Sequence, residues 1–211
     1  MDAAIGGKNG INFNHFKNMA GCFRQAGWIY VDSSYLETLP RRTLLCGAAE
    51  MLKTFIIKDA DSYRRAVRLF SSPDLDLKEL GDLVRRAISI KCGIVESDPF
   101  DWGERRLLNL GHSFGHAIEK YNADILHGEA VAIGIIKAAE KSVSLGMMDK
   151  DEMIRLKSDF KAVGLPVETA MSEKEFATAM AQDKKRMGDR MTFVLPKRIG
   201  EAILWETSAT V

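Results

Sequence analysis

Residues 105–121 have the sequence RRLLNLGHSFGHAIEKY, in which apolar residues recur with the period of an α-helix. At 100° per residue, Arg105, Asn109, His112 and His116 fall on one stripe about 60° wide. The stripe holds no Glu or Lys, the usual solvent-facing residues, and histidines four apart on a helix can share a divalent metal. The spacing predicts one helix over 105–121 whose polar stripe either binds a ligand or faces water.

Two glycines, Gly111 and Gly115, lie four residues apart in the same segment. A glycine inside a helix costs about 1 kcal/mol relative to alanine, so helix propensity does not explain their presence. We therefore expect another backbone or a ligand to approach closely on this side of the helix.

Helical periodicity continues on both sides of this segment. The pattern predicts helices over roughly 40–56, 60–70, 77–97, 105–121, 128–146, 150–163 and 172–182. Apolar runs at 191–195 and 202–205 predict two short strands. The expected fold class is mostly α, with a minor β-hairpin or small sheet.

The N-terminal part of the chain has a different character. Residues 2–19 are rich in Gly and Asn, which is typical of a loop. The run GWIYVD at 27–32 predicts a strand, and Thr38 and Pro40 mark the start of the first long helix. We therefore expect a loop and a strand over 1–34, left from an interdomain region, and a helical domain over 35–211.

The composition excludes several classes of protein. The 211 residues include 30 Lys and Arg against 29 Asp and Glu, and this near-zero net charge argues against bulk electrostatic binding of nucleic acid or membranes. The longest apolar run, 130–136, is far shorter than the ~20 residues of a membrane span. The N-terminus lacks the features of a signal peptide, and the three cysteines form no CxxC pair. We expect a cytoplasmic globular protein with reduced thiols.

Other titratable side chains are less informative alone. Glu50 and Lys53 lie three apart on one helix face, where a surface ion pair is the simplest interpretation. Lys91 lies in the apolar stretch ISIKC, where a lysine can extend its amine to solvent. His127 could supply a further metal ligand. The absence of an HExxH motif argues against a histidine–metal hydrolase.

Seven segments of the chain resemble the motifs of the 3-dehydroquinate synthase family. They are IGGKNGIN (5–12), KNMAGCF (17–23), LETLPRR (36–42), GAAEMLK (47–53), RRLLNLGHSFGHAIE (105–119), LHGEAVAIG (126–134) and DKK (183–185). The resemblance implies a carbon–oxygen lyase of the shikimate pathway, which converts the seven-carbon acid phosphate DAHP to 3-dehydroquinate with loss of phosphate. It also implies zinc or cobalt, NAD and a homodimer.

The same resemblance assigns roles to individual residues. Glu50, His112 and His127 match metal ligands, which makes His116 a substrate contact and replaces the ligand pair suggested by spacing. The positions that match catalytic residues are Lys53, Lys91, Arg105, Asn109 and His116. Those that match substrate contacts are Lys8, Lys17, Asn18, Lys184 and Lys185, with one of the last two lysines contacting substrate. Asp2 and Thr38 match positions near the dinucleotide.

One departure from the family concerns the N-terminus. Family members carry an α/β nucleotide-binding domain before the GGK loop, and no GxGxxG motif precedes Lys8 here. We expect a C-terminal metal- and substrate-binding domain that lacks this partner domain, and that neither binds NAD appreciably nor turns over alone.

Two alternatives remain open. One is an inosose- or valiolone-type sugar-phosphate cyclase, although such relatives tend to replace the carboxylate- and phosphate-binding positions. Those positions are kept here at Arg105, Asn109, His116 and Lys184 or Lys185. The other is a non-catalytic fragment that only associates with a partner domain.

Overall fold

The computed structural model describes residues 3–13, 16–172, 174–176, 178 and 190–208, with backbone alone at 12, 16–18, 190, 191 and 208. Within these residues the chain is mostly helical, as predicted, and carries two antiparallel two-stranded sheets, of which the sequence predicts only the C-terminal one. The elements are β1 (Lys8–Phe13), β2 (Phe16–Phe23), α1 (Arg41–Lys58), α2 (Ala60–Ser71), α3 (Leu77–Ser97), α4 (His112–Tyr121), α5 (His127–Ser144), α6 (Lys150–Val163), β3 (Arg190–Arg198) and β4 (Glu201–Ser208).

Five of the predicted helices are confirmed to within about two residues, as α1, α2, α3, α5 and α6. Three of them begin at an aspartate whose carboxylate accepts a hydrogen bond from a backbone N–H of the first turn: Asp59, Asp76 and Asp149. The two predicted strands are confirmed as β3 and β4. Of the helix predicted over 172–182, residues 174–176 and 178 are helical, and most of the remainder lies outside the described residues.

The core forms where α1 and α5 pack against each other. Leu52 and Phe55 of α1 and Ile135 and Ile136 of α5 are fully buried, and each such side chain contributes about 1.5–3 kcal/mol of transfer free energy. The other helices and the β3–β4 hairpin surround this pair. No helix among the described residues is long and apolar enough to cross a membrane. The packing of α1 on α5 holds the part of α1 that carries Glu50 and Lys53 against α5, which begins at the candidate ligand His127.

Helices α4 and α5 touch through their backbones. A Cβ on Gly134 would overlap the carbonyl oxygen of Gly111, and one on Gly115 would lie 3.1 Å from the carbonyl oxygen of Ala130. The predicted close approach at Gly111 and Gly115 is confirmed, and α5 is the partner.

The single helix predicted over 105–121 is wrong. Residues 104–109 form a 3₁₀ turn, Gly111 adopts a left-handed φ of +78°, and α4 begins at His112. Because the chain changes direction at Gly111, Arg105 and Asn109 do not share a helical stripe with the histidines.

Predictions for the N-terminal region also need correction. The loop expected over 2–19 is largely the β1–β2 hairpin, in which Gly10 pairs with Gly21. A Cβ on Gly21 would overlap the carbonyl oxygen of Asn9, so glycine here permits strand pairing. The run 27–32 is not a strand, since no described strand pairs with it, and Trp28 is 97% exposed. Pro40, with no side-chain cap, precedes α1.

Replacing Gly134 with alanine tests the α4–α5 contact. We expect Gly134→Ala to lower the free energy of unfolding by about 1–3 kcal/mol, because the new methyl group must push the helices apart. Gly93→Ala in α3 is the matched control: its Cβ would meet nothing within 4 Å, so the change is neutral or stabilises by up to about 1 kcal/mol. Urea unfolding measures both variants, and equal effects would contradict the packing argument.

Candidate functional site

A cleft of about 560 Å³ lies where the N-terminal loop, α1, α3, the 3₁₀ turn and the first turns of α4 and α5 meet. It brings together side chains that are far apart in the sequence. The sequence-predicted residues that line it are Lys8, Glu50, Lys53, Lys91, Arg105, Asn109, His112 and His127.

One wall of the cleft carries a possible metal site. One ligand atom each from Glu50, His112 and His127 lies within 4.8 Å of the others. Oε1 of Glu50 is 3.6 Å from Nε2 of His112 and 3.3 Å from Nε2 of His127. This Oε1 atom is buried and accepts no hydrogen bond from the described residues. Two imidazoles and a carboxylate form a donor set that zinc and cobalt accept with a coordination position left open, so the residues fit such a metal.

Backbone geometry brings the three side chains together. His112 is the first residue of α4, directly after left-handed Gly111, and His127 is the first residue of α5. A Cβ on Gly128 would overlap the backbone of Cys46, one turn before Glu50 on α1. The start of α5 therefore lies directly on α1, which places His127 beside Glu50.

Lys53 is part of this wall. It is 5% exposed, and its Nζ lies 2.6 Å from Oε2 of Glu50. The predicted ion pair between Glu50 and Lys53 is confirmed, but its expected surface position is wrong, because the packing around α1 buries Lys53 and leaves the Glu50 side chain only 17% exposed. Since Lys53 occupies Oε2, Oε1 is the oxygen that Glu50 offers to a ligand.

Charge is unevenly distributed among these groups. Burial disfavours the Glu50 carboxylate, but Lys53 and the histidines hold its pKa well below the usual range. Burial and the charge of Lys53 lower the pKa of His112 to about 3. Hydrogen bonding to Glu119, together with the nearby Glu50 carboxylate, raises the pKa of His127 to about 9. Without a metal at neutral pH, Glu50 is ionised, His112 is neutral and His127 carries a proton.

Arg105 also lines the cleft and connects two loops. It is 3% exposed, and its guanidinium donates 2.5 Å hydrogen bonds to the carbonyls of Pro99 and Gly6. Because a guanidinium has five N–H donors, these bonds fix its plane while leaving others for a ligand. Its predicted contact with a substrate carboxylate stays a prediction.

Lys8 forms an ion pair with Asp101 at the mouth of the cleft. Asp101 adopts a left-handed φ of +65°, and its Oδ1 is buried without a hydrogen bond from the described residues. An anionic ligand at Lys8 would therefore compete with a carboxylate already there.

Some predicted site residues are not assembled at the cleft. The ring of His116 packs edge-on against His112, with centroids 5.7 Å apart, and does not line the cleft. Thr38 is exposed and lies outside it. The remaining predicted residues, Asp2, Lys184 and Lys185 and the side chains of Lys17 and Asn18, lie outside the described residues.

Sequence reasoning missed two acidic side chains that contact predicted site residues. Glu119 lies 3.0 Å from His127, and Asp101 pairs with Lys8. The spacing of His112, His116 and Glu119 at i, i+4 and i+7 could have pointed to Glu119. No spacing signal marks Asp101, because its contact is made across 93 residues.

Two solved structures with the same fold are synthases that carry NAD⁺ and a divalent metal. A 2-epi-5-epi-valiolone synthase from Streptomyces hygroscopicus with NAD⁺ and Zn²⁺ bound is 27% identical, with a TM-score of 0.86 over 97% of this chain and 58% of that one. A 2-deoxy-scyllo-inosose synthase complexed with carbaglucose-6-phosphate, NAD⁺ and Co²⁺ has a TM-score of 0.82 over 99% of this chain and 61% of that one; at 22% identity it shows the fold alone. The fold is therefore that of the sugar-phosphate cyclases.

Sequence comparisons give the family. The family model "3-dehydroquinate synthase C-terminal" matches residues 47–186, and "3-dehydroquinate synthase N-terminal" matches 1–46. The 3-dehydroquinate synthase of Nitratiruptor is 36% identical over 98% of this chain and 59% of its own length. That of Psychrobacter cryohalolentis is 39% identical over 97% and 56%. The chain belongs to the 3-dehydroquinate synthase family and spans less than three fifths of these relatives.

The protonation of His127 predicts how metal binding depends on pH. Because this imidazole must lose its proton to ligate, the apparent zinc affinity should rise about tenfold per pH unit between about pH 6 and 8. Glu50 and His112 contribute no further pH dependence between about pH 6 and 8, since the pKa of each lies below this range. Chelator competition measures the affinity, and calorimetry in two buffers of different ionisation enthalpy should show about one proton released. An affinity that does not change with pH would contradict the assigned charge state.

Proposed function

We propose that this chain forms the metal- and substrate-binding part of a 3-dehydroquinate synthase, which converts DAHP to 3-dehydroquinate with release of phosphate. The convergence of Glu50, His112 and His127 on one wall of a cation-lined cleft carries the proposal. Membership of the family supports the choice of reaction.

The charge pattern of the cleft matches a substrate with two anionic ends. DAHP carries a carboxylate and a phosphate, so its site needs fixed cations at two places. We assign the carboxylate to Arg105, whose planar fork is fixed by two carbonyls, helped by Lys91 and Asn109, which line the same cleft. The family resemblance assigns the phosphate to Lys8, Asn18, His116 and one of Lys184 and Lys185, and of these Lys8 lines the cleft. Binding would then exchange the Asp101 carboxylate at Lys8 for the substrate's phosphate.

The residues of the metal wall have separate tasks. When bound, the metal supplies polarisation of the substrate hydroxyl that is oxidised, and NAD supplies a reversible hydride acceptor. Glu50 contributes Oε1, and Lys53 balances the charge of its other oxygen. His112 and His127 contribute their Nε2 atoms. Loss of phosphate and ring closure need the substrate to be held at both ends, which is the task of the cations on the other walls.

NAD dependence is proposed for the whole protein. The valiolone synthase with NAD⁺ and Zn²⁺ bound supports it. Thr38, which the family resemblance matches to the dinucleotide site, is exposed and lies outside the cleft. We therefore propose that other residues bind most of the dinucleotide, and that the 211-residue chain assayed alone binds NAD weakly and does not turn over. A cytoplasmic homodimer completes the proposal, and light scattering tests the dimer.

Metal content tests the metal wall directly. Plasma emission on the purified chain should give about one zinc or cobalt per molecule, because one ligand set is present among the described residues. His112→Ala should lose this metal. Glu140→Ala, which removes an exposed carboxylate paired with Lys137 on α5, should keep it. A chain that holds no metal after zinc is supplied would contradict the site.

Substrate choice separates the proposed reaction from a second candidate. The TM-score of 0.86 to a valiolone synthase makes a cyclase of that type the alternative. For the test, this chain is fused to the C-terminal end of the region that precedes the matched segment in the Nitratiruptor 3-dehydroquinate synthase. The fusion protein is supplied with NAD and zinc. We expect phosphate release from DAHP and not from sedoheptulose 7-phosphate, because Arg105 and Lys91 suit a carboxylate that the second sugar lacks.

The opposite preference would favour the valiolone-type reaction. Turnover of neither substrate by a folded, metal-loaded protein would favour a non-catalytic fragment.

Arg105→Ala should abolish turnover of DAHP in the fusion protein, and His112→Ala should do so through loss of the metal.

A further inference from the structure

Glu119 lies behind the metal wall, on the last turns of α4. Its side chain is 14% exposed, and its Oε1 is 3.0 Å from Nδ1 of His127. The other ring nitrogen of His127, Nε2, is 3.3 Å from Oε1 of Glu50. The imidazole is therefore held between two carboxylates, one at each nitrogen.

We propose that Glu119 is a positioning residue that holds His127 in the one orientation and tautomer in which Nε2 faces the metal. A carboxylate at Nδ1 accepts the N–H of that nitrogen, so the lone pair remains on Nε2. This inference rests on the proposed function, since it assumes that His127 ligates a metal.

The two histidines differ in how much they need such a partner. His112 is largely buried, and its Nδ1 lies 3.2 Å from the carbonyl oxygen of Leu110, two residues away. That contact is local and forms with the turn itself. His127 begins α5 with its side chain 46% exposed, so packing alone leaves its ring room to rotate. The Glu119 contact spans eight residues and depends on α4 and α5 packing together.

The backbone contact between α4 and α5 fixes Glu119 relative to His127. Gly115, one turn before Glu119, lies against Ala130, one turn after His127. The two helix backbones are in direct contact here, so α4 cannot move closer to α5. This packing sets the distance between the Glu119 carboxylate and the His127 ring. Glu119 therefore has the position of a carboxylate that does not itself bind the metal but orients a histidine ligand. Loss of such a carboxylate typically weakens metal binding about 10- to 100-fold.

Two substitutions separate orientation from charge. Glu119→Ala removes the acceptor and should weaken Zn²⁺ binding about 10- to 100-fold, measured by chelator competition on the 211-residue chain across about pH 6–8 so that the proton displaced from His127 is accounted for in each variant. Glu119→Gln keeps an oxygen that can accept from Nδ1–H, so it should recover a substantial part of the affinity. Glu140→Ala is the matched control, because it removes an exposed helical carboxylate away from the wall and should bind like the unmodified chain.

The visible absorption of bound Co²⁺ gives a readout that a merely structural role would not change. At saturating cobalt, Glu119→Ala should alter the d–d bands, because His127 no longer holds its orientation, while Glu119→Gln and Glu140→Ala should keep them. Circular dichroism and thermal unfolding establish that each variant is folded.

The outcomes distinguish this inference from the proposed function. If the unmodified chain binds neither zinc nor cobalt, the metal site fails and the inference fails with it. If it binds metal and His112→Ala abolishes binding, but folded Glu119→Ala keeps the affinity within about twofold and the cobalt bands unchanged, only the role of Glu119 is overturned.

Discussion

The cleft depends on the close approach of α5 to two other helices. Gly134 lets the middle of α5 touch the backbone at Gly111, and Gly128 lets its first turn touch the backbone at Cys46. These contacts set the position of His127 relative to the other two ligands of the metal wall. Because the apolar faces of α1 and α5 are fully buried, neither helix can move to accommodate a side chain at a low free-energy cost. The geometry of the wall is therefore a consequence of core packing.

The same packing places a carboxylate, an ammonium group and an imidazole out of water together. Burial alone would protonate Glu50, and the 2.6 Å contact with Lys53 reverses that tendency. The lysine also distinguishes the two oxygens of Glu50. Oε2 pairs with Lys53, whereas Oε1 accepts no hydrogen bond from the described residues. A buried oxygen without a hydrogen bond is unfavourable, and a bound cation would remove that penalty.

Most of the helices could be predicted because their signals are local. The apolar period and an aspartate at the first turn specify α2, α3 and α6 without reference to the remainder of the chain. The errors fall where a glycine or an unpaired segment permits more than one conformation. Gly111 fits a helix interior or a left-handed turn, and contact with α5 selects the turn. An apolar run such as 27–32 becomes a strand only where another strand pairs with it.

The sequence by itself determined the family through its motifs, most of the helices through their apolar period and, through the family resemblance, the candidate ligands, because residue identity and order are properties of the chain. Only the tertiary structure decided that Glu50, His112 and His127 meet within 4.8 Å, that Lys53 is buried, and that Glu119 and Asp101 contact site residues. Burial and contacts across many residues depend on which helix faces meet. Periodicity gives each helix an apolar face, but the sites of close approach are set by backbone surfaces that meet only in the folded chain.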